Sequence, residues 1–204
     1  MNQGTILPVF LALILVTAAC VASDVPTCDR AQGVAYFDIR INSHRLEQAT
    51  LEDIFREYGR APEIYSKVEE CCVQRAVCYI SPDRKLAVHF GGWEKSKVTS
   101  FEISNDPREI ASYKNCVVSD RLAKPINNSL GLALGMRRSE IVQVLGSTYR
   151  QSSPRDDEIG YNFKCRRLDL DTSGGEEWTR ATYIKVRFSD DRVTYIQITQ
   201  DTQG

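Results

Sequence analysis

Seven cysteines carry most of the reactive chemistry that this 204-residue sequence offers. Cys28, Cys71, Cys72, Cys78, Cys116 and Cys165 form an even set once Cys20 is grouped with the apolar N-terminal stretch. An even set in an exported chain reads as a disulfide framework, because such bonds persist only outside the reducing cytosol. Adjacent Cys71 and Cys72 are expected to take different partners, since a disulfide needs Cα atoms roughly 4.4 to 6.8 Å apart and a near-perpendicular torsion. One of them could close a short loop onto Cys78, and a Cys116–Cys165 bond would staple a connector to the second half of the chain. Zinc is the rival reading. Thiolate zinc sites are built from closely spaced pairs of the C-x2-C type, and none occurs here. His44 and His89 are the only histidines, and neither belongs to a repeated His/Cys cluster. No metal and no cofactor are expected.

Other residue groups offer fragments of chemistry. Asp169, Asp171 and Ser173 followed by Gly174 match the opening of a calcium loop, in which alternate oxygens converge on the ion. Arg180 stands where that loop requires a bidentate glutamate, so an acidic solvated loop is the expectation. Asp156-Asp157-Glu158 and Glu69-Glu70 pair carboxylates, but neighbouring acids usually form a solvated face. No nucleophile elbow, zinc-protease helix, phosphate loop or dinucleotide fingerprint is present. A catalytic site is not expected, and the chain is read as a non-enzyme. Trp93 and Trp178 follow glycine-rich loops; each ring either anchors a partner or folds back as a lid on a small core. Asn127-Asn128-Ser129 is a glycosylation sequon only in a eukaryotic setting.

Composition narrows the partner class. Lys and Arg number 26 against 27 Asp and Glu, for a net charge of -1, so no basic field exists to hold a phosphate backbone. Nucleic acid is not an expected partner. Residues 1–19 read as a signal peptide: Ile6 to Ala19 is free of charge and too short for an ordinary span. Val16-Thr17-Ala18-Ala19-Cys20 resembles a bacterial lipobox, which implies lipidation at Cys20 and attachment to a membrane. Val21 rather than Asp follows, which by that resemblance favours the outer membrane. Cleavage after Ala22 and an uncleaved anchor remain the other readings.

The elements that would position these groups repeat. Leu86-Ala87-Val88-His89-Phe90 and Val98-Thr99-Ser100-Phe101-Glu102-Ile103-Ser104 recur as Ile184 to Phe188 and Val193 to Thr199. A helix face with a closing glycine recurs as well. Leu51, Ile54, Phe55, Tyr58 and Gly59 answer to Arg138, Ile141, Val142, Leu145 and Gly146. Thr50 with Asp53 forms a near-capping box before the first helix. The expected fold is α+β: a tandem repeat of strand-helix-three-strand units, each a small antiparallel sheet packed on one helix. The first unit opens with a strand through Phe37, Ile39 and Ile41, followed by the helix and strands at 76–80, 85–90 and 97–104. The second opens through Leu130, Leu132 and Leu134, with later strands at 161–165, 182–188 and 192–199. The organisation is therefore a leader at 1–19, a tether at 20–33, repeats at 34–105 and 126–204, and a connector at 106–125.

Gly135-Met136-Arg137-Arg138-Ser139-Glu140-Ile141-Val142-Gln143-Val144-Leu145-Gly146, followed by a terminal hairpin, resembles the BamE/SmpA-OmlA family of small outer-membrane lipoproteins. The tandem layout is similar to that of the secreted β-lactamase inhibitor proteins, whose paired α/β units present a sheet to an enzyme. The resemblance implies an exported envelope lipoprotein, facing the periplasm or cell surface, that holds an envelope or secreted protein partner, with a role in outer-membrane assembly or maintenance. An inhibitor of a secreted or periplasmic hydrolase, and a binder of small molecules or cell-wall glycans, are the alternatives.

Overall fold

The computed structural model describes residues 36–68, 72–93, 97–147, 157–166 and 179–203. The leader, Cys20, Cys28, Cys71, Trp178, the 169–174 acidic loop, Glu69-Glu70 and Asp156 lie outside the described residues. Helix α1 (Leu51–Tyr58) forms where the capping residues dictate. The Asp53 N–H donates to Thr50 Oγ1 at 3.3 Å and the Asp53 carboxylate accepts from the Thr50 N–H at 2.9 Å. Gly59 closes the helix at φ 94°, a conformation that a side chain would strain. Leu51, Ile54 and Tyr58 face inward. Helix α3 (Arg138–Leu145) starts without a hydroxyl cap. Instead the Glu140 carboxylate accepts from the Arg137 N–H at 2.6 Å, and Gly146 at φ 89° ends the helix.

Ten strands are found among the described residues. β1 (Arg40–Ile41) and β2 (His44–Arg45) make a minimal hairpin. β3 (Ile64–Val68), β4 (Cys72–Ile80), β5 (Ala87–Trp93), β6 (Ser100–Ser104), β8 (Glu158–Arg166), β9 (Thr179–Ser189) and β10 (Arg192–Gln203) join in the order β3-β4-β5-β6-β10-β9-β8. The short β7 (Val117–Val118) runs parallel to the end of β4, making an eight-stranded sheet. Helix α2 (Pro107–Ser112) and a 3-10 turn at Asp120–Ala123 lie in the segment between the halves. Among the described residues no helix is long and apolar enough to cross a membrane.

The expectation of two separate small sheets is corrected. β6 pairs antiparallel with β10, Phe101 opposite Ile198 and Ile103 opposite Ile196, so a single sheet runs through both halves. The core is continuous for the same reason: Ile54, Tyr79, Phe90 and Phe101 belong to one buried cluster with Ile141, Ile159, Ile184 and Ile198. Alternate residues of each strand face these helices, as the pleat requires. Two strand tyrosines tie the helix ends down. Tyr79 donates to the Gly59 carbonyl at 2.6 Å, and Tyr161 to the Gly146 carbonyl at 3.0 Å.

Both expected opening strands are also corrected. Ile39 and Ile41 are fully buried, yet only Arg40–Ile41 is a strand, and it pairs with β2 outside the large sheet. Leu130 and Leu132 are buried, Leu130 in a turn and Leu132 in irregular chain just after it, rather than in a strand. The Leu132 N–H donates to Asn128 Oδ1 at 3.1 Å and the Asn128 amide donates to the Leu132 carbonyl at 2.7 Å. Those backbone groups are satisfied locally by a side chain, so no ladder forms. β3 was not expected; it is an edge strand with Tyr65 63% exposed, which gives it no core-facing alternation to read.

Candidate binding face

The pleat that turns Val88, Phe90, Phe101 and Ile198 toward the helices turns their neighbours to the other face. One cross-strand row on that face runs Cys78, His89, Glu102, Gln197, Lys185, Gly160 from β4 to β8. A second row places Ala76, Gly91, Ser100, Thr199, Tyr183 and Asn162 in register beside it. Its centre is floored by small residues: a Cβ on Gly91 would stand 2.5 Å from Ser100 Oγ. Trp93 continues the alternation His89, Gly91, Trp93 and lies opposite Gln74, so its ring belongs to this face and is 37% exposed.

The segment carrying α2 crosses part of this face as a strap. Asp106 caps α2 by accepting from the Arg108 N–H at 2.9 Å. Glu109 pairs with Arg187, which also donates to Glu158 at 2.8 Å and lies 4.5 Å from the centre of the Tyr195 ring. Tyr113 packs on His89 with ring centres 4.2 Å apart. Cys116 is disulfide-bonded to Cys78, and β7 then pairs with β4. Beneath the strap, Glu102 accepts from Gln197 Nε2 at 3.0 Å and from the Tyr195 hydroxyl. Burial raises the Glu102 carboxyl above the usual glutamate range and raises the Tyr113 and Tyr195 phenols as well.

Burial acts on His89 in the opposite direction, pushing its pKa down to about 4. The groups facing the ring are Tyr113, Glu102 and the Cys78–Cys116 bond. An unfolded chain takes up the proton near pH 6.5, well before the folded one does. Stability therefore falls as pH drops from about 6.5 to about 4, by an amount on the order of 3 kcal/mol from this residue. Glu102 contributes the opposite slope, since the folded state keeps a proton that the unfolded state has released. For the oxidised protein, His89→Gln is expected to reduce the stability difference between pH 7 and pH 4 by about 3 kcal/mol. Urea unfolding at the two pH values measures it, and an unchanged difference would mean that the ring is already solvated.

The structure distributes the candidate residues unevenly. Cys78 and Cys116 come together, which corrects both the Cys116–Cys165 bond and the short loop from Cys71 or Cys72 onto Cys78. Cys165 is disulfide-bonded and fully buried in β8. Cys72 opens β4, and Arg180 lies in β9, where it pairs with Glu47. Asp157 and Glu158 begin the β8 hairpin, with Glu158 committed to Arg187. A cleft of about 350 Å³ beside β1 and β2 is lined by Arg40, His44, Arg45 and Asp53. Its basic side chains already have partners: Arg45 and Arg40 pair with Asp38 at 2.6 and 3.8 Å, and His44 Nε2 lies 2.5 Å from a Glu57 carboxylate oxygen.

In the sequence His89 figures only as a histidine outside any His/Cys cluster, and nothing there marks Glu102, Tyr113, Arg187 or Tyr195 as residues of the same site. A signal for one contact was present: closing the turn at 81–86 opposes Ile80 to Ala87, and two further steps oppose Cys78 to His89. Comparison with protein-family models, with curated proteins and with solved structures gave no match.

Proposed function

We propose that the protein is a non-enzymatic, exported interaction module, anchored through a lipid on Cys20, that holds an envelope or secreted protein on the open face of its sheet. The observation that carries this reading is the part of that face that no described residue covers. Trp93, Tyr183, Lys185, Asn162 and Lys164 offer an aromatic and cationic surface beside a floor of small residues, the composition from which interface anchors are drawn. Trp93 then acts as the anchor rather than the lid. The Cys78–Cys116 bond supports an oxidising compartment, and outer-membrane assembly or maintenance is the setting we assign.

Duplication of one strand-helix-three-strand unit, with the copies merged into one sheet, is the origin we assign to the layout. Glu102 and Gln197 are equivalent in the sequence repeat and pair with each other at the centre of the β6–β10 seam, where a two-fold between repeats would pass. Matching tyrosine contacts at Gly59 and Gly146 agree with it. A continuous sheet built from two units also supports the second reading, inhibition of a secreted or periplasmic hydrolase, because a broad rigid face suits a preorganised inhibitor.

Affinity capture from envelope extract with the oxidised protein tests the proposal. A protein should be retained by the wild type and lost by at least about tenfold on Trp93→Ala with Lys185→Glu, since removal of a hot-spot residue costs about 2 kcal/mol or more. Capture of a hydrolase with loss of its activity would select the inhibitor reading. Equal capture by the folded variant would move the site off this face.

A further inference from the structure

We infer that Cys78, Cys116 and His89 form a redox-gated zinc site: a disulfide when oxidised, and a Cys2His ligand set for a divalent metal of zinc type when reduced. The inference is independent of the partner proposed for the sheet face. It rests on position. Cys78 and His89 are directly opposed on β4 and β5, and the strap brings Cys116 over them. The two sulfurs and a ring nitrogen of His89 lie within 4.8 Å of one another. Donor atoms around a tetrahedral zinc stand roughly 3.3 to 3.8 Å apart, given metal–ligand distances of about 2.0 to 2.3 Å. Side-chain rotations therefore bring the three groups onto one ion, and solvent completes the fourth position.

A second observation points the same way. His89 Nε2 is buried and has no hydrogen-bond partner among the described residues. A buried imidazole nitrogen without a partner is costly in the oxidised state, and a ligand role in the reduced state is a reason for keeping it there. Soft thiolates with one imidazole are a donor set that selects zinc over harder cations. Cys116 lies between α2 and β7 rather than inside a regular element, so neither helix nor ladder hydrogen bonds fix its backbone against the small shift the change requires.

The chemistry balances with a thiol reductant. One thiolate attacks a sulfur of the Cys78–Cys116 bond and releases the other as a thiolate, and a second thiol then displaces the mixed disulfide. Two external thiols become one external disulfide, and the protein gains two electrons and two protons. Zinc then displaces the two thiol protons to solvent as the Zn–S bonds form.

The test uses the full-length protein reduced with a phosphine, titrated with zinc, and then alkylated with peptide-level readout. One equivalent of zinc should slow alkylation of Cys78 and Cys116 together, and His89→Ala should weaken that protection by at least about tenfold, as loss of a first ligand demands. Cobalt in place of zinc should give thiolate charge-transfer absorption that Cys116→Ser removes. Circular dichroism of each reduced variant checks folding. Alkylation as fast with zinc as without it, protection undiminished in folded His89→Ala, or unfolding of the wild type on reduction would each overturn the inference.

Discussion

Replacing Phe101 with alanine is expected to destabilise the whole molecule by about 3 to 5 kcal/mol, the range for deleting a fully buried aromatic ring. Phe101 is completely buried and its ring centre lies 5.6 Å from that of Phe90. It is also opposite Ile198 in the β6–β10 ladder, where, among the described residues, the two halves of the sheet are hydrogen-bonded strand to strand. A cavity there removes contacts from the first half and from the second at once. Because one cluster of buried side chains spans both, the loss should appear as a shift of a single cooperative transition. Urea unfolding followed by tryptophan fluorescence and by far-ultraviolet circular dichroism would report coincident midpoints. Lys164→Ala, on an exposed position of β8, should change stability by no more than about 0.5 kcal/mol. Two separate transitions, with only one moved by Phe101→Ala, would instead mean that the halves fold as independent domains.

What made the helices and inner strands legible was local chemistry. Thr50, Asp53 and Gly59 define the ends of α1 by hydrogen bonds made within one turn, so no distant residue is needed to place it. Gly146 does the same for the end of α3. Strands β6, β9 and β10 are readable because apolar core positions alternate with polar ones, while β5 shows as a short apolar run between turn residues. Leu130 and Leu132 show the limit of that signal, since alternation reports burial and not a ladder. The decisive information at that point was the Asn128 side chain, which satisfies the backbone of Leu132 and leaves no ladder to form. Nor does the similarity of two segments state how they associate. The matching segments 98–104 and 193–199 were visible in sequence, but their pairing across a seam depends on the exposed polar edges of two separated strands.

The sheet face was legible only in part for a related reason. Glu102, Tyr195 and Arg187 look like ordinary outward-facing residues of half-buried strands. Their unusual surroundings come from α2, which lies in the segment between the two halves of the sheet. The contact between Glu109 and Arg187 spans 78 residues, and no spacing rule connects them. Cysteine counting indicated that disulfides should exist, yet the choice of Cys78 for Cys116 is made by the route of the strap over β4.

Removing that bond is the second large effect. Cys78→Ala together with Cys116→Ala should lower stability by about 4 kcal/mol relative to the oxidised protein, the chain-entropy value for a loop of this length. The cysteines are 38 residues apart in sequence, so the unfolded chain gains considerable freedom when the link is lost. Alanine leaves the native fold without a buried hydroxyl at position 78, so the measured change reflects the cross-link and a small cavity. A domain commonly has about 5 to 15 kcal/mol in total, so the variant should fold while unfolding at lower denaturant. The loss should also be local before it is global. Without the bond, the strap keeps the Asp106 cap, the partly exposed Glu109–Arg187 pair, the Tyr113–His89 contact and two residues of β7 pairing. Amide exchange in 107–118 should therefore accelerate by more than that of α1 or the β6–β10 seam, whose core contacts do not pass through the bond. Equal acceleration everywhere would place the effect of the disulfide entirely in the unfolded chain. Unchanged stability would mean that Cys78 and Cys116 are not joined in solution.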